Sequence, residues 1–228
     1  MSRQGLKFQV PSETLYTFLM SKKTIYFVRH GESEGNVSLY KAGIDPDLTD
    51  KGEEQAISVA ERFLNIKVDI VIASPLIRAK KTGERIASKT GAPIVTDEMV
   101  SEWRIPEKMV GVLKSECPKM VDMIDDDFAR NGVFPGGESF SELKERALLV
   151  MESLKMRSED NILIASHDVF LHMFVSCIML GEALTHAEFA LLYERLKASN
   201  TGITILNFDS SQTTNPWTIV TWNDNTHI

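Results

Sequence analysis

Apolar residues in this chain come in short runs that stop abruptly at polar ones. Residues 24–28 read Thr-Ile-Tyr-Phe-Val, 69–73 read Asp-Ile-Val-Ile-Ala and 161–166 read Asn-Ile-Leu-Ile-Ala-Ser. Short runs rich in β-branched residues predict strands buried on both faces. Between them the apolar spacing becomes helical. Over residues 49–64, Ala56, Val59, Ala60 and Phe63 share one face, with Thr49 as N-cap. A helix is expected to start near Pro75, a residue suited to a first turn, and to run to about Ser88. Ser139 and Glu142 form a capping box at the head of a helix reaching about Met156. Further helices are expected over 169–180 and 184–197, a short strand over 93–96, and a closing hairpin from 202–208 and 217–222.

Strands alternating with helices predict an α/β fold, a three-layer α/β/α sandwich whose central sheet is mainly parallel. Residues 99–131 break that rhythm, being irregular and then helical. They read as a helical cap insertion at approximately 99–135, and residues 1–21 as an N-terminal arm. No repeat or dividing linker is visible, so 1–228 is expected to be a single domain.

Composition narrows the possibilities. A hydrophobic fraction of 43% is that of an ordinary globular protein able to bury a core without staples. The net charge of −7 argues against a nucleic-acid partner, and it requires any anionic ligand to be held by a local positive cluster. Only Cys117 and Cys177 are present, without CxxC spacing. They predict neither a disulfide framework nor a zinc site, and fit a reducing cytoplasm. The first residues lack the pattern of a signal peptide. The most apolar stretch, 169–180, is too short to cross a bilayer and contains His172 and Ser176. A cytoplasmic protein with no membrane partner is expected.

Polar punctuation follows each of the three buried strands: Arg29-His30, Ser74-Pro75 leading to Arg78, and Ser166-His167. In open α/β sheets, ligands bind beyond the carboxyl ends of the strands. Arginine suits multidentate recognition of phosphoryl oxygens, and a neutral imidazole is a competent nucleophile toward phosphorus. The pattern itself reads as an anion site containing a histidine, and goes no further.

The segment Arg29-His30-Gly31-Glu32-Ser33-Glu34-Gly35-Asn36 resembles the signature of the histidine phosphatase superfamily, also called phosphoglycerate mutase-like. The resemblance continues in order through 48–56 (Leu-Thr-Asp-Lys-Gly-Glu-Glu-Gln-Ala), 73–79 (Ala-Ser-Pro-Leu-Ile-Arg-Ala), 136–139 (Gly-Gly-Glu-Ser) and 164–167 (Ile-Ala-Ser-His). It implies that His30 takes the phosphoryl group while Arg29, Arg78 and His167 clamp its oxygens, with a further hydrogen bond from Asn36. In the matching segment 97–102, Glu102 takes the place of the family's acid, which protonates the leaving oxygen and then activates water. The resemblance implies no metal and no other cofactor, and a small phosphorylated substrate as the partner.

Hydrolysis is the expected reaction. The tryptophan before the signature asparagine and the Phe-Thr-Gly-Trp block of the family's phosphoglycerate mutases are absent; Gly35 precedes Asn36, and 41–45 read Lys-Ala-Gly-Ile-Asp. Residues 200–204 resemble the phosphatase members instead. A cofactor-dependent phosphoglycerate mutase and a phospho-ligand-binding regulatory module with little turnover remain the alternatives. Asp168 stands where many relatives have glycine; it is expected to cap the following helix, or alternatively to face the ligand and disfavour strongly anionic substrates. Glu138 and Ser139 are expected simply to start a helix, His172 to be a core histidine, and His186 and His227 to lie on the surface. Trp103, Met109, Met120, Met123 and Phe128 are candidates to roof the pocket, although residues at this helical spacing are more often simply core.

Overall fold

The computed structural model describes residues 21–41, 43, 45–132 and 135–228. Apart from Ser21, the expected N-terminal arm lies outside the described residues, as do residues 133 and 134 of the expected cap. Strands β1 (Lys22–Arg29), β2 (Ile70–Ala73), β3 (Ile94–Thr96), β4 (Asn161–Ser166), β5 (Ile203–Asp209) and β6 (Trp217–Asp224) form one six-stranded sheet, ordered β3-β2-β4-β1-β5-β6. The first four in that order are parallel, and β5 and β6 are antiparallel additions at one edge. The sheet is therefore mainly parallel, as its sequence pattern predicts.

Side chains alternate across the central strands and feed two cores. Ile25, Phe27, Ile70, Ile72, Ile162 and Ile164 face helices α6 (Phe140–Met156), α7 (Asp168–Leu180) and α8 (His186–Arg195). Val28, Val71, Ala73, Leu163 and Ala165 face the other layer, made by α2 (Asp50–Arg62) and α3 (Ile77–Thr90). Helix α7 is buried from Val169 through Cys177, which explains why its sequence is apolar all round rather than striped. Phe170 and Phe174 pack on Phe27 with ring centroids 6.1 and 5.6 Å away. Burying a side chain of this size contributes roughly 1.5–3 kcal/mol.

The caps are those the sequence predicts at α2, where Thr49 Oγ1 accepts from Gly52 N at 3.0 Å, and at α6, where Ser139 and Glu142 close a capping box. Helix α3 starts later than expected. Ser74 Oγ accepts from Leu76 N at 3.2 Å, and this local turn holds Pro75 outside the helix. A four-residue helix, α1 (Glu34–Val37), escaped prediction because it is too short to show a period. In the expected cap region, 3₁₀ turns precede two short helices, α4 (Met120–Met123) and α5 (Asp126–Asn131). Met109, Met123 and Trp103 are buried in the same core as β1 and α7, so this region packs continuously with the body of the fold.

Because β2, β4 and β1 are adjacent and parallel, their carboxyl ends place residues 29–30, 74–78 and 166–168 along one rim. The antiparallel β5 begins at that same rim, which brings residues 200–202 beside them.

Candidate active site

A cleft of about 650 Å³ opens at this rim, lined among others by Arg29, His30, Asn36, Arg78, Glu102 and Asp168. His167 lies behind it, fully buried, with its ring centroid 5.1 Å from that of His30. The structure thus gathers the residues the sequence singles out, although they span positions 29 to 167.

The His30 ring is held in one tautomer. Nδ1 lies 2.6 Å from the carbonyl oxygen of Gly31, which can only accept, so Nδ1 carries the proton. Arg78 Nε, which can only donate, lies 3.2 Å from Nε2. Nε2 therefore presents its lone pair toward the guanidinium. Burial, reinforced by the charges of Arg78 and Arg29, holds His30 well below the usual imidazole value and keeps it neutral. His167 is held neutral by burial and by the charges of Arg78 and Arg29. Its Nε2 bonds Ser74 Oγ at 2.8 Å, while Nδ1 is buried without a protein partner. Arg29 Nε and Arg78 Nη1 are likewise buried without hydrogen-bond partners, although Arg78 Nη1 lies 3.8 Å from Asp45. Buried donors left open cost about 1–3 kcal/mol each unless something occupies them. A tetrahedral anion beside His30 would supply those acceptors.

The signature loop is shaped by the second sequence block. Glu32 N donates to Gln55 Oε1 at 2.8 Å, and Thr49 N to the Glu32 carbonyl at 3.0 Å. Gly31 and Gly52 touch backbone to backbone, and a Cβ on Gly52 would collide with the Glu32 carbonyl oxygen. Asn36 is exposed at the cleft. Its Oδ1 accepts from Ser33 N at 3.0 Å and Asn200 Nδ2 at 3.2 Å, which leaves the amide nitrogen without a hydrogen-bond partner among the described residues.

Glu102 sits at the head of α7. Its carboxylate accepts from Trp103 N at 2.9 Å and, at longer range, from Phe170 N at 3.3 Å and Val169 N at 3.5 Å. Burial, together with the negative charge of Asp168, raises its carboxyl above the usual glutamate range. A carboxyl poised in this way can donate a proton and later accept one.

Two groups of residues support the site in ways their local sequence does not reveal. Glu138, read as a helix start, is a buried anchor. Its carboxylate takes two bonds from Arg146, at 2.8 and 2.7 Å, and one from Arg104 N at 3.2 Å. Arg146 also donates to the carbonyls of Met99 and Ser101 at 2.9 and 2.8 Å, so the pair grips the segment that carries Glu102 on both sides. The other group is Asn200 and Thr201. Asn200 Nδ2 donates to the His30 carbonyl at 2.9 Å, and Thr201 N to the Arg29 carbonyl at 3.0 Å. An i, i+8 Glu–Arg relation across a capping box is the signal that could have exposed Glu138.

Other expectations need correction. Of the five proposed roofing residues, only Trp103 and Met120 line the cleft. Met109 and Met123 are core, and Phe128 lines a separate depression. The mouth instead carries Lys41, Arg104, Glu107 and Lys114. His186 and His227 are half-buried and bonded to the Val121 carbonyl and Thr201 Oγ1. Asp168 lines the cleft. It does not cap α7, because Glu102 occupies the first free amides of that helix.

The histidine phosphatase superfamily (branch 1) matches residues 25–225. The chain belongs to that superfamily. A Salmonella choleraesuis protein named "Probable phosphoglycerate mutase GpmB" is 31% identical over 214 residues, covering 90% of this chain and 94% of that protein. Bacillus stearothermophilus YhfR superposes with a TM-score of 0.74 at 25% identity, over 90% of this chain and 98% of that one. A mycobacterial glucosyl-3-phosphoglycerate phosphatase shares the fold at a TM-score of 0.66 and 20% identity, over 89% of this chain and 99% of that one. As a histidine phosphatase superfamily member, the chain has relatives named both for phosphatase and for mutase activity. Among its described residues, no helix is long and apolar enough to cross a membrane.

Proposed function

We propose that this chain is a phosphatase that hydrolyses a small phosphomonoester through a phosphohistidine on His30. Nε2 of His30 attacks phosphorus while the ester P–O bond breaks, and Glu102 gives its proton to the departing alcohol oxygen. Arg29, Arg78, His167 and the Asn36 amide hold the phosphoryl oxygens. Water then attacks phosphorus as the P–N bond breaks, Glu102 takes the proton from that water, and inorganic phosphate leaves with the Nε2 lone pair restored. The positive charge the phosphoryl group needs comes from the two guanidinium groups. The observation that carries this reading is the fixed tautomer of His30, with its lone pair facing Arg78.

Phosphoglycerate mutase is the second reading, favoured by the name of the 31%-identical Salmonella relative. A mutase must keep water from the phosphohistidine while its substrate reorients. Here Arg104 and Glu107 at the cleft mouth are exposed, which favours hydrolysis. The experiment is hydrolysis of p-nitrophenyl phosphate in the presence of chelator, beside incubation with 3-phosphoglycerate. The phosphatase reading expects phosphate release that survives chelation and vanishes in His30→Ala. Isomerisation of 3-phosphoglycerate without phosphate release would replace it with the mutase reading.

A further inference from the structure

Asp168 lines the cleft beside Glu98 and Glu107, and is the one of these three carboxylates packed against Glu102 and the arginine of the signature loop, yet the proposed chemistry gives it no task. Its side chain is 24% exposed and its neighbours hold it in place from behind. His172, one turn further along α7 and buried, puts Nδ1 2.7 Å from the Asp168 carbonyl oxygen and 3.3 Å from Asp168 Oδ1. Its Nε2 lies 2.9 Å from the Leu196 carbonyl. Both nitrogens thus face carbonyl oxygens, which only accept, and both are satisfied only if the ring is an imidazolium. Burial opposes that charge, but Asp168 and the two carbonyls outweigh it and raise His172 above its ordinary value. The rings of Tyr193 and Trp222, with centroids 4.7 and 5.2 Å from that of His172, close round the cation. Tyr193 also donates its hydroxyl to Asp168 Oδ2 at 3.2 Å.

This arrangement is built to keep one carboxylate ionised and immobile. Burial works against ionisation of Asp168, yet His172, Arg29 and Tyr193 hold its carboxyl below the usual aspartate range. The carboxylate lines the cleft and is near enough to Glu102 for its charge to act on it; if Glu102 protonates the leaving oxygen, as proposed, this is the side of the alcohol part of the ester. An ionised, oriented carboxylate there accepts hydrogen bonds and repels a second carboxylate. Of the cations lining the cleft, Arg29 acts on Asp168 directly, whereas Lys41, Arg104 and Lys114 form no hydrogen bond or ion pair with it among the described residues.

We infer that Asp168, positioned by His172 and Tyr193, selects the leaving group, favouring phosphomonoesters whose short alcohol carries an ammonium group and rejecting those with a carboxylate in its place. This inference rests on the phosphatase reading and names the substrate class of the same site.

The test is the inhibition constant of each of three esters against p-nitrophenyl phosphate hydrolysis: O-phosphoethanolamine, 3-phosphoglycerate and propyl phosphate. The wild-type protein is expected to bind O-phosphoethanolamine more tightly than propyl phosphate and 3-phosphoglycerate least. In Asp168→Asn the preference for the ammonium over the carboxylate ester falls about tenfold or more, the factor one charge-assisted hydrogen bond represents. Because the readout is a ratio within each protein, partial loss of folded enzyme does not move it. Tyr193→Phe, which keeps the ring packed on His172, lowers the same ratio by a smaller factor. A wild-type preference for 3-phosphoglycerate, or a ratio unchanged within twofold in Asp168→Asn, overturns the inference. Absence of any His30-dependent hydrolysis of p-nitrophenyl phosphate counts instead against the phosphatase reading.

Discussion

The carboxylate of Glu102 accepts from the backbone N–H of Phe170 at 3.3 Å, so the proposed proton donor is joined to the first turn of the helix that follows His167. This contact ties together segments 68 positions apart and sets the carboxyl beside the cleft. It also has a consequence for the pH profile. Glu102 must be protonated to assist the leaving oxygen, and its carboxyl is raised, so activity persists above the usual glutamate range and falls as pH rises through the raised value. His30 must be neutral, and its value is lowered, so activity falls on the acid side only well below 6.5. Glu102→Gln should lower kcat on an alkyl phosphate by roughly 10²–10⁴ and remove the basic limb. An aryl phosphate, whose leaving oxygen needs less protonation, should lose far less. Steady-state pH profiles on both substrates check this.

The Glu138–Arg146 pair should matter to stability and to rate together. Removing one partner of a buried ion pair costs about 3–5 kcal/mol when the other is left uncompensated; here the exposed Arg104 guanidinium, 3.5 Å from Glu138, offsets part of that. Arg146→Met should show that loss in urea unfolding, because Glu138 is only 1% exposed at its side chain. Glu138→Gln in the same chain should restore part of it. In Arg146→Met, kcat should fall more than KM changes, since the freed segment 99–104 carries Glu102 and not the phosphoryl clamp.

Backbone contact between the first two sequence blocks gives a third prediction. Gly52→Ala forces a methyl group onto the Glu32 carbonyl and should cost about 1–3 kcal/mol while lowering kcat through displacement of the signature loop. Gly43→Ala is the internal comparison, because among the described residues nothing lies within 4 Å of the added carbon. It should stay within about 0.5 kcal/mol of the parent, as open surface substitutions do. Denaturant unfolding and initial rates on the two variants distinguish a contact effect from a general loss of glycine.

The strands and main helices were legible because burial writes a simple pattern. Ile162, Leu163 and Ile164 alternate between two hydrophobic layers, so the run is apolar throughout, and β4 spans the residues that the pattern predicts. The rim residues could be read for the same reason, since each polar break marks the end of a buried strand. Of the segment 98–132 only the coarse course, irregular and then helical, could be read; which of its residues face the core could not, because its 3₁₀ turns have no side-chain period and its methionines are shared between core and cleft. Glu138 was hidden by its neighbour: Ser139 does form the capping box, which leaves no local sign that the residue before it is buried against Arg146. Asp168 looked like a helix cap from its position alone. Only folding shows that Glu102, remote in sequence, has taken those amides.

The central claim is that the Nε2 nitrogen of His30 becomes phosphorylated during turnover. The most direct measurement is to mix the protein with a phosphomonoester, quench rapidly in alkali, and locate the phosphoryl group by mass spectrometry of the digested chain. The account predicts a phosphoryl group on His30, stable in alkali, lost in acid, and absent in His30→Ala. Phosphate release with an unmodified His30 at every quench time, or a phosphoryl group carried on His167 instead, would contradict it.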